Sequence, residues 1–173
     1  MALTVDPGIV TNWSKSRPGF PWVTLTLFLF CTGVKLLHSG MSPLAQNAML
    51  ELAGVLPNQL APIFSRPFAG WADYQVLTLF SALFIHTSWV HLLGNMVYMW
   101  VFGVPLERRL GSFGMVLVFV LGGALSNLFV ALRLPDLTSP IVGASGAVSA
   151  VVGAYLGLFP YRHIGMLLPL GLY

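Results

Sequence analysis

Apolar and polar positions alternate along the chain in blocks, giving a series of long apolar runs separated by short polar segments rich in proline and charge. A helix that crosses a bilayer needs about 20 mostly apolar residues at a rise of about 1.5 Å each. The first such run extends from Phe20 to about Leu37, with Trp22 at its entrance as an interfacial anchor. Lys35 lies near its far end, where a long side chain can snorkel to the headgroups. The stretch from His38 to Asp73 carries Pro43, Pro57, Pro62 and Pro67, and Met41 to Leu56 reads as a short amphipathic helix. Its middle, with Ile63, Phe64, Phe68 and Trp71, is too apolar for a free loop and is expected to lie in the interface or to pack back on the bundle. A flexible loop is the alternative.

A second span is predicted from about Val76 or Leu83 to Val104, ending at Pro105, Glu107, Arg108 and Arg109. A third runs from Phe113 to about Leu132, and a short loop from Arg133 to Pro140 leads to a fourth, from about Ile141 to Phe159. Pro160, Tyr161, Arg162 and His163 make the next turn, and a fifth apolar run starts at Ile164. Ten helical residues rise about 15 Å, half of a hydrocarbon core about 30 Å thick. Carbonyls left unpaired in lipid cost several kcal/mol each. From geometry alone the sequence is therefore expected to be a fragment, or one piece of a protein completed elsewhere.

Composition agrees with a bilayer as solvent. Of 173 residues, 57% are hydrophobic and 8% are charged, against roughly a quarter charged in ordinary soluble domains. The length allows one domain: a lead over residues 1–19 and a membrane domain over residues 20–173. The formal charge of +3 is too small and scattered for a nucleic-acid surface. The single cysteine, Cys31, excludes an internal disulfide. No cleavable signal peptide is read, since the first apolar run follows a 19-residue polar lead and looks like a retained span. Lys15, Arg17, Arg108, Arg109 and Arg162 fall on one side of the predicted topology, against Arg66 and Arg133 on the other. That bias puts the N-terminus in the cytoplasm.

Ionisable residues inside spans are functional candidates by default. The second span holds His86, His91 and Asn95, and the last two, at i and i+4, share a helix face. The fourth opens with Gly143-Ala144-Ser145-Gly146. His91 stands 16 residues before Glu107, and Ser145 stands 16 before Tyr161. Both therefore lie roughly 24 Å above the cytoplasmic boundary, at one depth near the outer surface. Gly143 and Gly146 flank the serine without side chains, so a substrate backbone can approach and the helix can begin close to a neighbour. Gly146, Ala150, Gly153, Ala154 and Gly157 form a small-residue stripe suited to close helix packing, which makes the fourth helix central. Gly122-Gly123 reads as a further packing site. By itself Ser145 reads as a small packing residue, and His91 with Asn95 as a buried hydrogen-bonded pair. His86 reads as a satisfied interfacial histidine, about 140° round the helix from His91. No metal constellation or phosphate-binding loop is found.

Three stretches resemble the rhomboid family: His86-Thr-Ser-Trp-Val-His91-Leu-Leu-Gly-Asn95, then Glu107-Arg-Arg-Leu-Gly-Ser112, then Gly143-Ala-Ser-Gly-Ala147 continuing to Gly153-Ala-Tyr155. A GxSG alone is weak, but the HxxxxHxxxN and ExRxG patterns in their places make the combination specific. The resemblance implies an all-α membrane bundle with a six-span core and intramembrane proteolysis by a serine–histidine dyad. Ser145 matches the nucleophile. His91 and Asn95 match the oxyanion-stabilising pair, and Glu107 and Arg109 a structural turn that braces the cytoplasmic side. The family's general base is a histidine of the sixth span, which none of the histidines here replaces, so the chain alone is expected to be inactive. Where the family usually carries Trp-Arg in the first loop, this sequence has Tyr74-Gln75. The resemblance implies transmembrane protein substrates, no cofactor and a bacterial inner membrane, and leaves the oligomeric state open. A rhomboid-like protein that binds client helices without cutting them is the alternative. A small transporter ranks last, because no inverted repeat is found.

Overall fold

The computed structural model describes residues 19–64 and 73–160. The polar lead up to residue 18, Arg66, Phe68, Trp71, the turn residues Tyr161, Arg162 and His163, and the fifth apolar run lie outside the described residues. Seven α-helices follow one another among them: α1 (Trp22–Gly40), α2 (Pro43–Ala53), α3 (Pro57–Phe64), α4 (Tyr74–Ser81), α5 (Trp89–Tyr98), α6 (Val104–Arg133) and α7 (Ser145–Leu158). A 3-10 turn, Ala82–Phe84, extends α4, and a π-helical turn, Met99–Gly103, joins α5 to α6. The only β-type pairing among the described residues is an isolated antiparallel bridge between Val55 and Ile141. The architecture is all-α.

α6 is two helices in one. Gly111 has φ 74° and ψ 168°, outside the helical region and accessible to glycine without strain, so the chain bends between residues 104–110 and 112–133. Residues 89–110 then form one membrane-length segment and residues 112–133 the next. Outward on the second of these, Leu117, Leu121, Leu125, Phe129 and Leu132 are exposed at helical spacing. An apolar stripe left uncovered in this way is what a lipid-facing helix presents.

α6 and α7 meet through side chains of minimal size. A Cβ added at Gly122 would overlap that of Ala150, and one at Gly146 would overlap Ser126. A Cβ at Gly123 would stand 2.9 Å from that of Ala147 and 2.7 Å from Leu83. Without a hydrophobic drive between helices in lipid, such close backbone approach is a main source of association. Later in the stripe read from the sequence, Ala154 packs against the core, while Cβ atoms added at Gly153 and Gly157 would meet nothing within 4 Å among the described residues. Around this seam Leu83, Met99, Phe102, Phe119, Val151 and Tyr155 build the largest buried cluster.

A buried carboxylate secures the opposite end. Glu107, 3% exposed, accepts from the backbone N–H groups of Val23 (2.9 Å) and Thr24 (2.8 Å), the Thr24 hydroxyl (2.7 Å) and the Ser112 hydroxyl (2.8 Å). The first turn of α1 has no capping side chain of its own, and its orphan N–H groups point at this carboxylate across the bundle. Charge-assisted bonds of this kind are the strong ones. They fix the start of α1 to the turn between the two following segments.

Two expectations need correction. The second span begins at Trp89, not at Val76 or Leu83. Residues 74–84 form a separate short helix, residues 85–88 are not helical, and Ser88 caps α5 by accepting from the His91 backbone N–H at 3.2 Å. Apolar residues on both sides of the break (Leu79, Leu83, Ile85, Leu92) make the stretch read as one run. Lys35 does not snorkel: it is 5% exposed and donates from Nζ to the Thr87 carbonyl at 2.8 Å, with Nζ 5.8 Å from the centroid of the Trp89 ring. An orphan carbonyl in the non-helical segment outcompetes the headgroups for that ammonium.

In a variant series followed by thermal unfolding in micelles, Glu107→Ala is expected to lose about 2 to 4 kcal/mol of stability, because it strands the buried Thr24 N–H and the part-buried Val23 N–H. Ser112→Ala, which removes one donor, is expected to lose about 1 kcal/mol. An unaltered midpoint for Glu107→Ala would show that the carboxylate braces nothing.

Candidate functional site

The segment before α7 is non-helical, so its backbone groups must find partners elsewhere. They do so at three successive places. Val55 and Ile141 exchange N–H···O bonds of 3.0 and 2.8 Å, the Gly143 N–H donates to the Ala82 carbonyl at 2.8 Å, and the Ala144 N–H faces His86 Nε2 at 3.4 Å. The Ala82 carbonyl also accepts from the Ile85 N–H at 3.3 Å, closing the 3-10 turn, and nearby Asn127 Nδ2 donates to the Leu79 carbonyl at 2.9 Å. Ser145 then opens α7 as its first residue, with no side chain capping the helix.

Ser145 is exposed, and it lines a groove of about 320 Å³ with Asn95, Tyr98, Val148, Ser149 and Val152. Its hydroxyl has no hydrogen bond to any described residue, while its carbonyl accepts from the Ser149 hydroxyl at 2.8 Å. Asn95 is 7% exposed and sits one turn into α5 from His91. The two helices begin at the same end of the bundle, which brings the serine and the carboxamide to one level.

His91 reaches the site from another side. Its imidazole occupies the space above Gly143, which has φ +121° and is closed to side-chain-bearing residues by both conformation and contact. Gly146 is likewise filled on its open side by Ser126. Of the two uses read for these glycines, approach of a substrate and approach of a neighbour, the described contacts are those of neighbours. Glu107 and Arg109 lie at the opposite end, where Arg108, Arg109, Tyr155 and Phe159 border a second groove with Val104 and Pro105.

His86 is the residue whose place the sequence reading missed. It is not on the same helix as His91 but in the non-helical stretch before it, and it is fully buried. Its Nε2 lies 3.0 Å from Asn95 Nδ2, and its ring meets that of His91 edge-on at 5.2 Å between centroids. Ser88, a capping residue three positions before His91, was the available signal that the helix starts too late to carry His86. In the first loop Gln75, 4% exposed, takes the inward position with its amide nitrogen 2.7 Å from the Tyr74 hydroxyl, and Asp73 caps α4.

Comparison with known proteins is consistent across relatives. The chain is 37% identical over 92 residues to Rhomboid-related protein 3 of Homo sapiens, covering 53% of this chain and 22% of that protein. It is 30% identical over 124 residues to the Putative rhomboid protease YdcA of Bacillus subtilis, covering 69% of this chain and 62% of the relative. A third relative, at 29% over 89 residues (51% of this chain, 6% of the relative), is Inactive rhomboid protein 1 of Drosophila melanogaster. The chain thus spans less than two thirds of each of these relatives. The family model described as the Rhomboid domain matches residues 73–172, more than half of the sequence. Together with the apolar helices, that match establishes that this integral membrane protein belongs to the rhomboid family.

Proposed function

We propose that the protein is an intramembrane serine endopeptidase that cuts transmembrane segments near the outer face of the membrane. The observation that carries this is the groove shared by Ser145 and Asn95, with the imidazole of His91 two residues from the serine, over Gly143. Ser145 Oγ attacks the carbonyl carbon of the scissile peptide while a histidine of the family's sixth span takes its proton. The carbonyl π electrons move to oxygen, and that oxyanion is held by Asn95, His91 and the backbone N–H of Ser145. Collapse of the tetrahedral intermediate breaks the C–N bond, and the histidine returns the proton to the leaving amine. Water then attacks the acyl-serine by the same route, releasing the carboxylate product and restoring the hydroxyl. Gly143 keeps the loop close under His91, Gly146 lets α7 start close to α6, and Glu107 and Arg109 belong to the bracing turn. The residues call for no metal or cofactor.

Residues 20–173 read as one rhomboid-like membrane domain behind a cytoplasmic lead, in a bacterial inner membrane. A second reading, a rhomboid-like protein that holds client helices without cutting them, is favoured by one observation: the similarity to a relative whose name marks it as inactive. The alternatives separate on activity. In the intact protein reconstituted in liposomes, Ser145→Ala is expected to abolish cleavage of a transmembrane reporter with the fold retained. Asn95→Ala is expected to slow turnover about 10- to 1000-fold. Undiminished cleavage by Ser145→Ala rejects the nucleophile assignment, and a wild-type protein that binds the reporter but never cuts it supports the second reading.

A further inference from the structure

His86 is an imidazole buried to 0% exposure between the two halves of the site, and the mechanism above gives it no task. Its surroundings define its protonation pattern. The Ala144 backbone N–H, which can only donate, faces Nε2 at 3.4 Å. An acceptor is needed there, so the lone pair is assigned to Nε2 and the ring proton to Nδ1, a buried nitrogen with no hydrogen-bond partner among the described residues. The Asn95 carboxamide approaches the same Nε2 at 3.0 Å. Of the two ends of an amide, only the NH2 group can donate to a lone pair, so the orientation of Asn95 follows from that of the ring. One N–H of Asn95 is then held by His86, and the second N–H of that nitrogen is the amide donor left over.

The geometry points to His86 as a positioning residue that couples the oxyanion amide to the nucleophile: a single unprotonated nitrogen accepts from Asn95 on α5 and from the backbone N–H immediately before Ser145. It fixes both the rotation of the carboxamide and its separation from the start of α7. The ring is itself held in place. Lys35 Nζ secures the carbonyl of the next residue, Thr87, at 2.8 Å, Ser88 starts α5 one residue later, and the His91 ring lies against its edge. Pre-organised donors matter because they spend no reorganisation energy when charge develops on the substrate. A carboxamide free to rotate, or a serine loop free to drift, loses that advantage without losing the residues themselves. This role rests on the reading of Ser145 as nucleophile and Asn95 as oxyanion donor.

The test compares two substitutions in the intact protein in liposomes, with kcat and KM measured separately on a transmembrane reporter. His86→Gln keeps an acceptor near the Nε2 position and is expected to stay within about threefold of wild-type kcat. His86→Leu fills similar space without an acceptor and is expected to lose about 10- to 100-fold in kcat, with KM altered less than about twofold. Full activity in His86→Leu overturns the proposal, and so does equal impairment of both variants, since only the bulk of the ring would then matter. Where a variant does not fold, 15N NMR of the imidazoles in the wild-type protein decides. An unprotonated Nε2 on His86 is expected, and a protonated one overturns the proposal. Cleavage that survives in Ser145→Ala removes the nucleophile reading and with it the catalytic task of His86. Cleavage lost in Ser145→Ala but intact in His86→Leu removes only the task of His86.

Discussion

Within a bilayer a chain can leave the helix only where another part of the protein takes up its freed N–H and C=O groups. The strand-like approach to Ser145 is such a place, and the structure is organised around satisfying it. Val55 pairs with Ile141, the Ala82 carbonyl takes the Gly143 N–H, and His86 faces the Ala144 N–H. The partners come from three separate points of the fold: the loop between α2 and α3, the 3-10 turn that extends α4, and the break before α5. A serine at the first turn of a helix, open to a groove, is the product of those ties.

The remainder of the bundle keeps that arrangement in register. Gly122, Gly123 and Gly146 let α6 and α7 approach until Ala147, Ala150 and Ser126 touch the opposing backbone, which leaves little freedom to slide. At the far end Glu107 gathers the start of α1 and Ser112 onto one carboxylate. The site and its brace are thus at opposite ends of the same helices. Small-residue packing sets the lateral distances, and the buried carboxylate sets the ends.

Much of this was legible in the sequence for a simple reason. Membrane segments must be apolar along their whole length, so spans such as 22–40 and 112–133 announce themselves, and polar residues within them stand out. Counting residues from the charged turns put His91 and Ser145 at one height, which holds because α5 and α7 begin at the same end. The misreadings share a cause as well. Hydropathy registers apolar content and is blind to the backbone, so the break at residues 85–88 was hidden by Leu83, Ile85 and Leu92 on either side. A single continuous helix would turn His86 away from His91, whereas the break lets it bond to Asn95. Lys35 reads as snorkelling because the Thr87 carbonyl that holds it is freed only by that break.

The proposed nucleophile, with the sixth-span histidine as its base and amide donors beside it, is expected to react with electrophiles that mimic the acyl transition state, whatever the natural substrate. The central claim is therefore tested most directly by treating the intact protein in liposomes with a fluorophosphonate and locating the adduct by peptide mass spectrometry. The account predicts one adduct, on Ser145, whose formation slows when Asn95 is replaced. An inert protein, or labelling of Ser88, Ser126 or Ser149 in place of Ser145, would contradict it.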